Sequence, residues 1–260
     1  MIRGVRSAME SMRAQLARQE VIARNVDNME TPGFKQESGA IASFASALGR
    51  LETRGASSPV RLVASVAPLG SLGVGNVMDR VSVDFRQGRL EETKRPLDVA
   101  LQGDGFLQAR SPDGVLFFRG GALYRDADGM LVTGDGYQVL GADGQPLVLP
   151  GGEISISGDG EITVDGRPTG RLGVVEFLPG TTLAKVGREY YTPDDPATPP
   201  PGAALETTVK QGYLEGSNVD MVSTMAELVS IVRAYQASQR MLQAEDGLLD
   251  KAVNDVGRVV

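Results

Sequence analysis

Asp126, Asp128 and Asp135 lie close enough together to suggest an oxygen cage for calcium. Their spacing departs from the EF-hand order, and no bidentate Glu follows where that loop requires one, so they read as turn residues. The adjacent carboxylates Glu91-Glu92 and Asp194-Asp195 could share acid–base work if one pKa were pushed above the other. Both pairs stand in charged or loop-like sequence that offers no such push, and they read as solvated surface. Gly103-Asp104-Gly105 is too short for a dinucleotide fingerprint, and Phe106-Leu107-Gln108-Ala109 after it has a strand's pattern where a phosphate site needs a helix start. The composition of 0 His, 0 Cys and 0 Trp removes imidazole bases, thiolate nucleophiles, the metal ligands of both types and every disulfide. No catalytic, metal or cofactor-binding residue is expected, nor a cofactor or small-molecule substrate.

Chemistry therefore gives way to architecture. A chain of 260 residues with 41% hydrophobic content can bury a substantial core, as one domain or two. Its net charge of -7 argues against nucleic acid, because phosphate neutralisation needs clustered Lys and Arg. Arg3 and Arg6 could open a signal peptide, but Arg13, Gln15, Arg18, Gln19 and Glu20 interrupt any apolar core, so a cleaved secretory signal is not expected. No stretch approaches the roughly 18 apolar residues that cross a bilayer.

Both ends carry a heptad. Val5, Met9, Met12, Leu16, Gln19, Ala23 and Val26 follow alternating spacings of four and three, which predicts an amphipathic helix stopping near Thr31-Pro32-Gly33. Met221, Met225, Leu228, Val232, Tyr235, Gln239, Leu242, Asp246, Leu249, Val253 and Val256 repeat the pattern. With Ser217 or Asn218 as its cap, that helix would run roughly 60 Å to about Val256. Asp246-Gly247 predicts a bend, since glycine within a helix costs about 1 kcal/mol. Two seams at opposite ends predict mutual pairing.

Between them stand short β-rich runs such as Val81–Phe85, Val115–Phe118, Gln138–Leu140, Glu153–Ile156 and Gly173–Phe177. Asp-Gly steps at 113–114, 128–129, 135–136, 143–144, 159–160 and 165–166 supply the positive φ of tight hairpins. Tyr190-Tyr191 suggests an aromatic pair packing on its own domain, and Pro193 to Gly202 a stiff loop. The fold class is therefore α+β, with long N- and C-terminal helices paired as a coiled coil around a central antiparallel β-rich domain. Expected boundaries are 1–34 for the first helix, 35–80 for an extended connector, 81–212 for the β domain and 213–260 for the last helix.

Several separated segments resemble the bacterial flagellar rod and hook family. Asn25-Val-Asp-Asn28-Met-Glu-Thr31-Pro-Gly33-Phe34-Lys35 looks like its N-terminal signature. Gln87–Thr93 with Pro96–Phe106, then Tyr124–Gly129 with Leu131–Thr133 and Gly136–Gly141, are similar to the blocks that open its β domain. Gln211-Gly-Tyr-Leu-Glu215-Gly-Ser217-Asn218-Val219, with Met225, Leu228-Val229 and Arg233-Ala-Tyr235, resembles its C-terminal signature. Val232–Gln236 departs from the usual Gln-Arg-Ala-Tyr-Glu, and Asp246-Gly247 from a commoner polar–apolar pair, which blurs subtype.

The resemblance implies a non-enzymatic rod subunit, sited in the flagellar basal body outside the cytoplasmic membrane and exported by the flagellar type III apparatus without signal cleavage. It implies a homo-oligomer in a helical assembly with other rod and hook proteins, polymerising into the axial drive shaft. The expected assembly interface is Val5, Met9, Met12, Leu16, Ala23, Val26, Met221, Met225, Leu228, Val232, Tyr235, Leu242, Leu249 and Val253. The motif residues are Asn25, Asn28, Thr31, Gly33, Phe34, Glu215, Ser217, Asn218 and Val219. The overall length and modest middle domain favour rod over hook; the distal and proximal rod types share these motifs, and the distal type is slightly preferred. A hook or hook-basal-body accessory protein is the alternative, and a secreted adhesive or carbohydrate-binding β protein a distant one that 5% aromatic content supports poorly.

Overall fold

Good helix formers such as Ala, Met, Arg, Gln and Glu carry α1 from Ile2 to Asp27, and a second helix, α2, runs from Met221 to Val256. The computed structural model describes residues 2–43, 76–195, 197–204 and 206–256. Among them the chain divides into two units, one holding α1, residues 37–43 and 76–82, and α2, the other holding residues 27–36 and 83–219.

In the helical unit, Arg18 Nε donates to Glu227 Oε1 at 3.0 Å, and the Ser11 and Ser238 hydroxyls stand 3.5 Å apart. Ascending positions on α1 meet descending ones on α2, so the helices pair antiparallel. The 36 residues of α2 span about 54 Å at ~1.5 Å per residue. Its cap is Asp220, whose Oδ2 accepts the Ser223 N–H at 3.0 Å, and not Ser217 or Asn218. Those two side chains are engaged elsewhere: Ser217 Oγ accepts from Val219 N, and the Asn218 amide bridges three backbone groups. No break occurs at Gly247, because one glycine's propensity cost is small against the turns that flank it.

The pairing seam is rotated from the expected one. Ala8, Ala14, Val21, Ile22, Thr224 and Ile231 are buried, whereas Met9 and Leu16 stay 47% and 45% exposed, and Ala23, Met221, Met225 and Val232 also face outward. Met12, Val26, Leu228, Tyr235 and Leu242 are half-buried. The side chains of Val5, Leu249 and Val253 lie outside the described residues. On each helix one heptad position in two therefore shifts by one residue. The physical reason is that each helix carries two adjacent apolar stripes, and periodicity alone does not say which meets its own partner.

The expected connector is partly a ladder. Glu37–Ser43 and Asn76–Val83 pair as a two-stranded sheet, because extended backbone needs partners for its N–H and C=O groups. Residues 44–75 lie outside the described residues.

The second unit is antiparallel throughout. Its largest sheet runs in spatial order Leu183–Val186, Tyr190–Pro193, Gly114–Phe118, Phe106–Ser111, Gln138–Val139, Leu131–Val132 and Tyr124–Arg125. Alternation sends neighbours to opposite faces. Leu107, Phe118 and Tyr190 join one core, while Phe106, Phe117 and Tyr191 join another with Phe85 and Phe177. The Tyr190-Tyr191 pair thus packs on its own unit, at the start of Tyr190–Pro193. All six Asp-Gly steps place glycine at positive φ.

Two smaller sheets carry the site. Thr208–Gln211 pairs with Asp98–Gln102, which pairs in turn with Gly120–Ala122, and Tyr213–Glu215 pairs with Leu90–Glu92.

Candidate functional site

The turn after α1 begins with Asn28, whose carbonyl accepts Thr31 N–H at 3.1 Å and whose Oδ1 accepts the Thr31 hydroxyl at 3.2 Å. Pro32 and Gly33, at φ +74°, then swing the chain away from the helical path. Gly33 N–H donates to the Glu215 carbonyl at 2.6 Å, so the two motifs meet through backbone first. Phe34 is buried, with Lys185 Nζ 3.3 Å from its ring centroid.

Lys35 and Glu215 form the centre, 0% and 1% exposed with Nζ and Oε1 2.7 Å apart. Lys35 Nζ also donates to the Arg86 carbonyl at 2.9 Å, and Glu215 Oε1 accepts Gly88 N–H at 2.7 Å. Arg119, 1% exposed, stands with Nε 3.8 Å from Glu215 Oε2 and donates to the carbonyls of Gly103 and Gly105. Burial pushes the Lys35 ammonium down from its ordinary range, with the Glu215 hydrogen bond opposing. The same desolvation lowers Arg119. Asn218 completes the seam: its Oδ1 accepts Gln36 N–H at 2.7 Å, and its Nδ2 donates to the carbonyls of Asp84 and Arg86 at 2.8 and 3.0 Å. One side chain thereby satisfies backbone from both arms.

In the helical unit Asn25 plays the same part. Its Nδ2 donates to the Glu37 carbonyl at 2.7 Å and its Oδ1 accepts Glu37 N–H at 2.8 Å, as a strand neighbour would. Arg24 pairs with the Glu37 carboxylate at 2.9 Å.

Asn28, Thr31, Gly33, Phe34, Glu215, Ser217, Asn218 and Val219 belong to one closing node, and Asn25 to a second. Asp126, Asp128 and Asp135 stand at hairpin turns, where Gly129 and Gly136 N–H donate to the Asp126 and Thr133 carbonyls. Sequence reasoning left Lys35 and Arg119 off the site. Lys35 ends the Thr-x-Gly-Phe block, and Arg119 interrupts Phe117-Phe118 on one side and Gly120-Gly121 on the other. A lone cation flanked by aromatic and glycine residues was the available signal. The arrangement can hold backbone segments together; its charged groups are spent on one another.

A second surface is apolar. Met9, Leu16, Met221, Val222, Met225, Val229, Val232, Met241 and Leu248 are exposed on the paired helices.

Residues 6–35 match the family described as "Flagella basal body rod protein", residues 100–164 "Flagellar hook protein FlgE/F/G D1 domain", and residues 210–255 "Flagellar basal body rod FlgEFG protein C-terminal". The chain is 33% identical over 258 residues to the flagellar basal-body rod protein FlgG of Agrobacterium fabrum, covering 94% of this chain and 96% of that protein. It is 30% identical over 254 residues to FlgF of Escherichia coli, covering 92% of each. With FlgG of Bacillus subtilis it shares 28% identity over 266 residues, 98% of this chain and 99% of that one.

Proposed function

The chain belongs to the flagellar basal-body rod protein family, and from that premise we propose that it polymerises through the outward faces of α1 and α2 into the axial drive shaft that transmits torque to the hook. It is a structural, non-enzymatic subunit of the rod. The observation that carries the reading is the exposed apolar stripe on a helix pair whose own seam is already filled. Burial of such residues contributes roughly 25 cal/mol per Å² of apolar area, and repetition over identical subunits turns modest contacts into a stiff shaft. Met9, Leu16, Ala23, Met221, Met225 and Val232 are the residues of the expected interface that face outward for this role. Met12, Val26, Leu228, Tyr235 and Leu242 support it from the internal seam, and Val5, Leu249 and Val253 extend the stripe in sequence.

Its partners are copies of itself, neighbouring rod and hook proteins, and the type III export apparatus that delivers it. The distal segment of the rod is the position proposed. The test is electron microscopy of basal bodies from cells carrying a small tag in the 193–202 loop. Label on the rod below the hook is the expected outcome, and its height separates distal from proximal. Label on the hook would favour the hook-accessory reading, and absence from the basal body would overturn both.

A further inference from the structure

Three charges from distant parts of the chain share one buried site. Lys35 and Arg119 bring two cations, and Glu215 brings the carboxylate between them. The other carboxylates that act on these cations are committed or wet: Asp84 holds Arg86 at 2.7 Å, and Asp104 is exposed. Taking an ammonium out of water unpaired costs several kcal/mol even after relaxation. Without Glu215, closure would bury two cations with no carboxylate between them.

Strand pairing points the same way. Thr208–Gln211 covers Asp98–Gln102 with four register pairs, and Tyr213–Glu215 covers Leu90–Glu92 with three. The Leu90–Glu92 sheet lacks its second strand until Glu215 is in place, Thr208–Gln211 lies just before that strand on the same segment, and the Gly33 N–H lacks the Glu215 carbonyl.

We propose that the Glu215 carboxylate gates closure of the β unit: until the C-terminal segment delivers it, Lys35 and Arg119 hold the unit open. Synthesis runs from the N-terminus, so the chain stays open until residue 215 has been made and released. For an exported rod subunit, an open chain is the form a transport channel can thread. That consequence rests on the rod reading; the gate itself does not.

Amide hydrogen exchange on the unassembled full-length chain tests it. Glu215→Gln should accelerate exchange on the order of 100-fold or more across residues 90–92, 98–102, 120–122 and 208–215 together. The triple variant Lys35→Met, Arg119→Met, Glu215→Leu, which removes the buried charges altogether, should return protection to within about 10-fold of the parent. Unchanged protection in Glu215→Gln, or loss confined to residues 33–36 and 86–88, would overturn the gate. A triple variant as open as the single one would also overturn it, because Glu215 would then act as a hydrogen-bond acceptor and not as a countercharge. If the single variant unfolds entirely, the triple decides. Failure of the rod reading would show in basal-body labelling and leave these exchange rates untouched.

Discussion

Gly33 shows how one residue sets the geometry of a node. Its φ of +74° is a conformation that L side chains adopt at a cost of about 1–2 kcal/mol, while an added Cβ would meet the Gly120 carbonyl at an ordinary 3.4 Å. Gly33→Val should therefore lower β-unit stability by about 1–2 kcal/mol through backbone strain, with Gly33→Asn losing less. Chemical denaturation followed by tyrosine near-UV circular dichroism measures both. Tyr190 supplies a pH test. Its hydroxyl donates to Thr133 Oγ1 at 2.9 Å, and burial pushes the phenol up from its ordinary value. The unfolded chain then loses this proton first as pH rises past about 10, so the stabilisation is complete below that pH and declines above it. The parent should lose stability more steeply between about pH 10 and 11.5 than Tyr190→Phe, which has no proton to lose there. Equal slopes would place the phenol's titration elsewhere.

At the scale of elements, α2 continues as helix through Gly247, its weakest helix former. A Cβ added at Gly247 meets nothing within 4 Å, so Gly247→Ala should stabilise the helix by about 1 kcal/mol, read as a rise in helical signal on heating. The two stripes should separate by mutation. Leu16→Asp and Met225→Asp place charge on exposed positions and should leave helical content unchanged while blocking polymerisation. Leu228→Asp, half-buried on the internal seam, should loosen the helix pair as well, by about 2–3 kcal/mol. Circular dichroism and sedimentation of the same samples separate these outcomes. Normal polymerisation by Leu16→Asp and Met225→Asp together would refute the outward-stripe interface.

At the scale of the molecule, the chain's ends meet twice, once as antiparallel helices and once as motif against motif within the β unit. Local grammar made much of this legible. The heptads predicted both helices, the Asp-Gly steps predicted the hairpins, and the missing His and Cys turned attention from catalysis to architecture. These signals act within a few residues, because helix periodicity, turn conformation and side-chain chemistry are properties of short segments. The motif blocks single out Gly33 and Glu215 without showing that they touch. Tertiary structure alone decided which apolar stripe fills the internal seam, why Asp220 and not Asn218 caps α2, and that Lys35, Arg119 and Glu215 share one buried site. Each of those answers depends on what stands across a gap of many residues, and the energy of a buried charge is fixed by its neighbours in space, not by its neighbours in sequence.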